Sequence, residues 1–304
     1  MKTVCKIGIQ GIKKGLSAFV WMAKIIIPVS FFTALLSWAG IIEYITEVFK
    51  PFMSFLGLPS VSAIPLIAGA LSSVYAGIAA MSVLPFKLEE MILIANFILI
   101  CHNMIQETII QANSGIKAWK TIGVRLFAAT ITVYVLKFFM KTSPSHIEVP
   151  KTFMGKGQPF WDMALVWATS TGRLVFKIFL IIMGIMVFLE FAKAYKWTDL
   201  ICRLTRPFLK LMGLSERVGL LWMTAVVFGL AYGGAVIVEE AKNENIKKEE
   251  LEALQLSVGI NHSMVEDPSL FLPLGLPAFW LWVPRLITAM VATRIFAFLK
   301  NRRF

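Results

Sequence analysis

Long apolar segments constrain this chain most, because six of them reach the roughly 20 residues that a helix needs to cross a membrane. Of its 304 residues, 58% are hydrophobic and only 16% are charged, against about 25% charged in soluble domains. Too few polar side chains exist to cover a soluble globule. The sequence therefore predicts an all-α polytopic membrane protein and no enzymatic activity. The predicted spans are 16–38, 88–112, 119–140, 168–192, 248–267 and 278–299.

The net charge of +12 does not indicate nucleic-acid binding. In membrane proteins, excess lysine and arginine collect in cytoplasmic loops near the anionic leaflet. The three cysteines are scattered and form no disulfide framework or zinc motif, and we expect no cofactor. The expected partners are the lipid bilayer, a small solute or cation and, in addition, another copy or another membrane protein. We expect a multi-pass protein of the cytoplasmic membrane with both termini inside.

The two halves of the sequence repeat each other at an offset that drifts from 156 to 160 residues. Such self-similarity indicates a duplicated unit. We assign 1–140 to the first unit, 141–160 to a linker of loop composition, and 161–304 to the second unit. The matched pairs are Pro51-Phe52 with Pro207-Phe208, Gly57-Leu58 with Gly213-Leu214, Tyr75 with Tyr232, Glu89-Glu90 with Glu249-Glu250, His102 with His262, and Arg125 with Arg285.

Two further apolar stretches, 61–85 and 216–241, are interrupted by small residues and turns. If both are re-entrant hairpins, each unit crosses the membrane three times and the two units are inverted. The basic stretch 193–217 is then cytoplasmic and the uncharged stretch 268–277 lies outside, as the positive-inside tendency favours. We therefore expect two inverted repeats, each with three spans, an amphipathic helix and a hairpin. The amphipathic helices are predicted around 44–56 and 200–211.

This order of elements resembles the nucleoside-recognition domain called Gate. The resemblance rests on a P-F-x-x-x-x-G-L motif, a small-residue hairpin and a helix that ends in H-x-M-[IV]-[QE]-[ED], over 40–140 and 195–298. Gate domains are shared by concentrative nucleoside transporters, the membrane part of ferrous iron transport protein B, and spore maturation proteins A and B. The resemblance implies a solute site near the middle of the membrane, built from both hairpins and both polar-ended spans. No P-loop motif for a GTPase is present.

The candidate site consists of the two polar clusters and the tyrosines of the hairpins. Polar groups beside long apolar runs are costly in a bilayer, and they are therefore candidates for function. Two of the chain's three histidines occupy equivalent positions in the two units, which is the strongest signal. Arg125 and Arg285 either reach the headgroups or pair with the clusters, and we favour pairing. The predicted solute-binding residues are His102, Asn103, Gln106, Glu107, Asn261, His262, Glu266, Asp267, Tyr75 and Tyr232.

Three functions stay open from the sequence. The first is transport of a small, nucleoside-like solute, as the resemblance implies. The second is a permease for a divalent metal ion such as Fe²⁺, because imidazole and carboxylate together suit such ions. The third is a membrane partner, without transport, in a spore- or envelope-related assembly. In the metal hypothesis the ligands are His102, Glu107, His262 and Glu266. The acidic stretch 239–252 is interpreted as a solvated face.

Overall fold

The computed structural model describes residues 2–140, 159–195, 197, 207–215, 218–230, 233, 236–239 and 246–299. All regular elements in these ranges are helices, as the composition predicts. Within them, five helical segments are long and apolar enough to cross a membrane, or six if the bent pair Lys50–Leu56 and Ser60–Leu71 counts as one span. Residues 141–158 of the linker, most of the second amphipathic helix and Tyr232 lie outside the described residues.

The two longest helices are the first helix of each unit, and they pack against each other along much of their length. Helix α1 is Lys2–Trp38 and α9 is Phe160–Ala194. Both extend beyond the predicted spans 16–38 and 168–192, because their polar turns continue the helix past the apolar segment. The helices approach closely at Gly11, where an added Cβ would lie 2.7 Å from the Cα of Val187. This contact joins the two units.

The first hairpin is present, and it consists of two short helices that pack against each other. At about 1.5 Å of rise per residue, neither helix is long enough to cross the membrane alone. The amphipathic segment before it is two helices and not one, because the helix breaks near Phe49. The elements are α2 (Ile42–Glu47), α3 (Lys50–Leu56), a 3₁₀ turn (Ser60–Ser62), α4 (Ala63–Leu71) and α5 (Val74–Met81).

The predicted span 88–112 is interrupted at its polar cluster, and so is its counterpart 248–267. The first forms α6 (Leu88–Cys101) and α7 (Met104–Ala112), followed by α8 (Ala118–Phe139). The second half contains α10 (Gly219–Phe228), α11 (Lys248–Asn261), α12 (Glu266–Ser269), a 3₁₀ turn (Leu272–Leu274) and α13 (Ala278–Leu299). The prediction of a continuous helix over 248–267 is therefore wrong, because α11 ends at Asn261.

The interrupted helices form the centre of the molecule. Helix α6 packs against α8, and α11 packs in the same way against α13. Helices α6 and α11 also contact each other across the two units. In the apolar stretch of Leu88–Ala112, 72% is buried inside the protein, whereas in the other four spans this share is 22 to 33%. The polar clusters are therefore inside the protein and do not face the lipid.

We predict that Gly11→Ala weakens the packing of α1 on α9, whereas Gly8→Ala does not. Both changes raise helix propensity by a similar amount, about 1 kcal/mol. However, the new methyl group at position 11 meets the backbone of Val187, and at position 8 it meets nothing within 4 Å. Overpacking of this kind costs about 1 to 3 kcal/mol. Thermal unfolding in detergent should show a lower melting temperature for Gly11→Ala alone, and equal melting temperatures would contradict this packing.

Candidate functional site

Both histidines lie where a central helix is interrupted. His102 ends α6 and His262 ends α11, each with an extended backbone (ψ 160° and 166°). The next residues, Asn103 and Ser263, have φ of 49° and 50°. This is the left-handed backbone region, which residues other than glycine rarely adopt. The interruption therefore has the same backbone geometry in both units.

An arginine from the neighbouring helix binds the carbonyl groups that each interruption leaves open. Arg125 in α8 donates from Nε to the oxygen of Ile100 at 2.8 Å and from Nη2 to the oxygen of His102 at 2.7 Å. Arg285 in α13 donates from Nε to the oxygen of Ile260 at 2.7 Å. The end of a helix carries a partial negative charge, so a buried guanidinium is stabilised there. Both arginines are buried beside the clusters, which agrees with the favoured pairing and not with a position at the headgroups.

The first hairpin and helix α10 bind the same interruptions from the other side. The amide of Asn103 donates to the carbonyl oxygen of Gly69 in α4 at 3.0 Å, and the amide of Ser263 donates to that of Ala225 in α10 at 3.1 Å. Backbone groups inside a membrane need such partners, because no water is available to replace them. Each interruption is therefore fixed between a short helix, α4 or α10, and an arginine.

The two imidazoles meet at the centre of the molecule. Their Nε2 atoms are 3.1 Å apart, and His102 and His262 are 5% and 1% exposed. Nδ1 of His102 lies 3.1 Å from the oxygen of Ile98, and Nδ1 of His262 lies 3.0 Å from that of Val258. A carbonyl oxygen only accepts, so both Nδ1 atoms carry the hydrogen. In the neutral rings, both Nε2 atoms therefore present lone pairs to each other.

Two carboxylates complete this centre. Oε1 of Glu107 lies 3.2 Å from Nε2 of His102 and 3.0 Å from Nε2 of His262. Oδ2 of Asp267 lies 3.4 Å from Nε2 of His102. We call His102, His262, Glu107 and Asp267 the central cluster. When the imidazoles are neutral, the ring Nε2 atoms and the carboxylate oxygens can only accept hydrogen bonds. Four such acceptor groups therefore converge on one small volume, and a positive ion among them would stabilise this arrangement.

Each carboxylate of the central cluster also faces an arginine. Nη1 of Arg125 is 2.7 Å from Oε2 of Glu107, and Nη1 of Arg285 is 3.9 Å from Oδ2 of Asp267. Both arginines are almost fully buried, at 1% and 0% exposure. The two positive charges offset the two negative ones, so the cluster and its arginines together carry little net charge when the imidazoles are neutral.

The other predicted site residues lie around the central cluster or away from it. The hydroxyl of Tyr75 donates to Oε1 of Glu266 at 2.8 Å and joins the first hairpin to the second unit. Gln106 is exposed, and its Oε1 accepts from Nδ2 of Asn103 at 3.3 Å. The side chain of Asn261 is fully buried, with no hydrogen-bond partner in the described part of the chain. In the metal hypothesis, the carboxylate near His102 is thus that of Asp267, whereas Glu266 binds Tyr75.

Sequence reasoning missed the helix interruptions and the buried polar side chains on and just after α7 and on α11. Gln111, Ser114 and Gln255 are buried and bonded to one another. They carry no recognisable motif, and a comparison of the two units position by position was the signal that could have found them. They belong to the same polar interior as the central cluster.

A separate groove of about 960 Å³ lies between α8 and α13. Its lining is almost entirely apolar and includes Phe127, Ile131, Phe279 and Ile287. Those four side chains are also exposed on the outer surface of the helices. Such a lining is typical of a surface that faces lipid chains, so we do not assign the groove as the solute site.

The comparison with known proteins agrees with this architecture. Residues 19–136 match the family model of Gate, described as nucleoside recognition. The first unit is therefore similar to the Gate family over most of its length. Over 294 residues, the chain is 26% identical to the uncharacterized membrane protein YvoD of Bacillus subtilis (strain 168). That similarity covers 96% of this chain and 94% of YvoD, so it includes both units. No solved structure matches the chain.

The Gate match ends near the end of α8, so it includes the first hairpin, the interrupted helix α6–α7 and Arg125. The expected resemblance is therefore confirmed for the first unit. His102 and Glu107 of the central cluster lie within the matched range, and so does Arg125. Their counterparts His262, Asp267 and Arg285 lie beyond the matched range.

We predict that Arg125→Lys destabilises the protein more than Arg285→Lys. A lysine keeps the charge but cannot span two carbonyl groups and a carboxylate at once. Arg125 makes two hydrogen bonds to carbonyl groups and a 2.7 Å ion pair, whereas Arg285 makes one hydrogen bond and a 3.9 Å contact. Breaking a buried ion pair lowers the free energy of unfolding by about 3 to 5 kcal/mol. Thermal unfolding of both variants measures the difference, and a larger loss for Arg285→Lys would contradict the prediction.

Proposed function

We propose that the protein is a membrane permease for a divalent transition-metal cation that binds in the central cluster. The spacing of the ligand atoms carries the proposal. Nitrogen and oxygen ligands bound at about 2.0 to 2.2 Å lie about 2.8 to 3.1 Å apart in octahedral geometry and about 3.3 to 3.6 Å apart in tetrahedral geometry. The four contacts within the cluster measure 3.0, 3.1, 3.2 and 3.4 Å.

The hydrogen bonds around the cluster support the same ligand. A histidine that binds a metal usually donates its other N–H to a carbonyl or carboxylate, which fixes the ring and directs the lone pair. His102 and His262 both have this arrangement, with Nδ1 beside the carbonyl oxygens of Ile98 and Val258. Two imidazoles and two carboxylates suit Mn²⁺, Fe²⁺ and Zn²⁺.

The charges favour transport over permanent binding. A transported ion must bind strongly enough to enter and weakly enough to leave. The carboxylates of Glu107 and Asp267 attract a cation, while Arg125 and Arg285 offset their charge. A site with four ligands but nearly neutral surroundings therefore binds a divalent cation reversibly.

A nucleoside-like solute is the second candidate, and the description of the Gate family favours it. Its base and sugar would need room between the two units. The central groups contact each other directly, with Nε2 of His102 and His262 only 3.1 Å apart. A nucleoside must separate these groups to bind there, whereas a metal ion fits among them. The cation is therefore our first choice.

We predict that the double variant His102→Ala, His262→Ala loses Mn²⁺ binding. Removal of both imidazoles leaves only carboxylates that are already paired with arginine. The dissociation constant should rise by at least about 100-fold. Calorimetry on the purified protein with Mn²⁺, Fe²⁺ under anaerobic conditions, and Zn²⁺ measures binding, and a fluorescent metal indicator inside proteoliposomes measures uptake.

The chain offers a control in its third histidine, because His146→Ala removes the same side chain from the linker. This variant should bind and transport Mn²⁺ as the wild type does. Heat with a nucleoside panel, and none with metals, would overturn the cation hypothesis in favour of the second candidate. If neither class of ligand binds and neither is taken up, transport itself is excluded, and a role as a membrane partner is the remaining hypothesis.

A further inference from the structure

A line of buried polar side chains leads away from the central cluster between α7 and α11. It starts one helical turn after Glu107, at Gln111. Nε2 of Gln111 donates to the backbone oxygen of Gln255 at 2.7 Å and to its Oε1 at 3.1 Å. Nε2 of Gln255 donates in turn to Oγ of Ser114. These three residues are at most 3% exposed, so the line runs inside the protein.

An ion pair lies at the outer end of this line. Nζ of Lys120, in the first turn of α8, is 3.2 Å from Oε1 of Glu252, which lies one turn before Gln255 on α11. The side chain of Lys120 is 29% exposed and that of Glu252 is 9% exposed. As whole residues, Glu250 and Glu252 are each 7% exposed, so the interpretation of this acidic stretch as a solvated face is wrong for these two residues.

Gly259 lies where the line of polar side chains packs against the central cluster. A Cβ at Gly259 would lie 3.1 Å from Nε2 of Gln111 and 3.6 Å from Cδ of Arg125. The missing side chain therefore allows the amide of Gln111 to pack beside the arginine that holds Glu107. We call Gln111, Ser114, Gln255 and Glu252 the polar line.

The polar line has no counterpart in the other half of the duplication. At an offset of 160 residues, the equivalent positions are apolar: Phe271 for Gln111, Leu274 for Ser114, Ile92 for Glu252 and Ala95 for Gln255. The equivalent positions in the two units thus show that apolar side chains can occupy these places in the repeat. Buried polar groups are costly in a membrane protein and are usually functional.

The chemistry of the polar line fits a cation that has left water. Amide, hydroxyl and carboxylate oxygens replace the water ligands of a hard divalent cation such as Mn²⁺. Oε1 of Gln111 is buried and accepts no hydrogen bond from the described residues. It therefore offers an oxygen atom within the protein, one turn from the carboxylate of Glu107.

We propose that the polar line is the passage by which cations move between the central cluster and the membrane face where α7 ends and α11 begins. This inference rests on the proposed function. Lys120 closes the outer end, because its ammonium group occupies the carboxylate of Glu252 that an entering cation would contact first. The direct bonds among Gln111, Gln255 and Ser114 close the inner part, so passage requires these side chains to turn.

The passage is tested first by accessibility, which does not depend on which solute is carried. In a background with Cys5, Cys101 and Cys202 changed to alanine, Ser114→Cys is compared with Ala95→Cys, the counterpart of Gln255 in the other copy. A positively charged methanethiosulfonate reagent is added to one side of proteoliposomes at a time. Ser114→Cys should react from one side only, and Ala95→Cys from neither. Equal reaction of the two variants, or no reaction of Ser114→Cys, would overturn the passage.

Transport gives the second test. Gln255→Ala and Glu252→Ile introduce the residues found in the other copy, and each should lower Mn²⁺ uptake by about tenfold or more while Mn²⁺ binding in calorimetry changes by less than about twofold. Ile92→Val is the control and should change neither. Unchanged uptake in both variants would mean that the polar line only holds helices together. If the wild type binds no Mn²⁺, the proposed function fails, and the accessibility experiment still decides whether the passage exists.

Discussion

The structure depends on two helices that stop inside the protein, because each stop leaves backbone groups that water would otherwise bind. In a membrane such groups cost several kcal/mol unless the protein replaces the water. Arg125 and Arg285 supply the donors for the open carbonyl groups, and carbonyl groups of α4 and α10 accept from the open amides. The arginines must then be neutralised, and this requirement brings Glu107 and Asp267 to the same place. The central cluster follows from the helix interruptions.

Much of this could be predicted from the sequence. The apolar lengths identified the long helices, and the repeat placed His102 opposite His262. The helix interruptions could not be predicted, because the residues around them have ordinary helical patterns. Bonds from distant parts of the chain fix the interruption, because the amide of Asn103 donates to the oxygen of Gly69 and Arg125 donates to the oxygen of His102. The same reason explains the error over 248–267.

The sequence predicted which residues form the site, but it did not predict how their side chains are arranged. Helical spacing placed Gln106 and Glu107 together beside His102, but the interruption turns α7 so that Gln106 is exposed and Glu107 is buried. Glu266 and Asp267 differ in the same way, since one binds Tyr75 and the other faces His102. A spacing rule for a continuous helix cannot separate these neighbours. The inverted relation of the two units stays a prediction.

The unequal ion pairs have a consequence for biosynthesis. Glu107 and Arg125 both belong to the half of the chain that leaves the ribosome first, and their pair is short at 2.7 Å. The first half therefore neutralises its own buried charges while the second is still being made. Asp267 has only a 3.9 Å contact with Arg285 and lies 3.4 Å from His102, so it relies on the earlier half. The first half can thus serve as the template on which the second inserts.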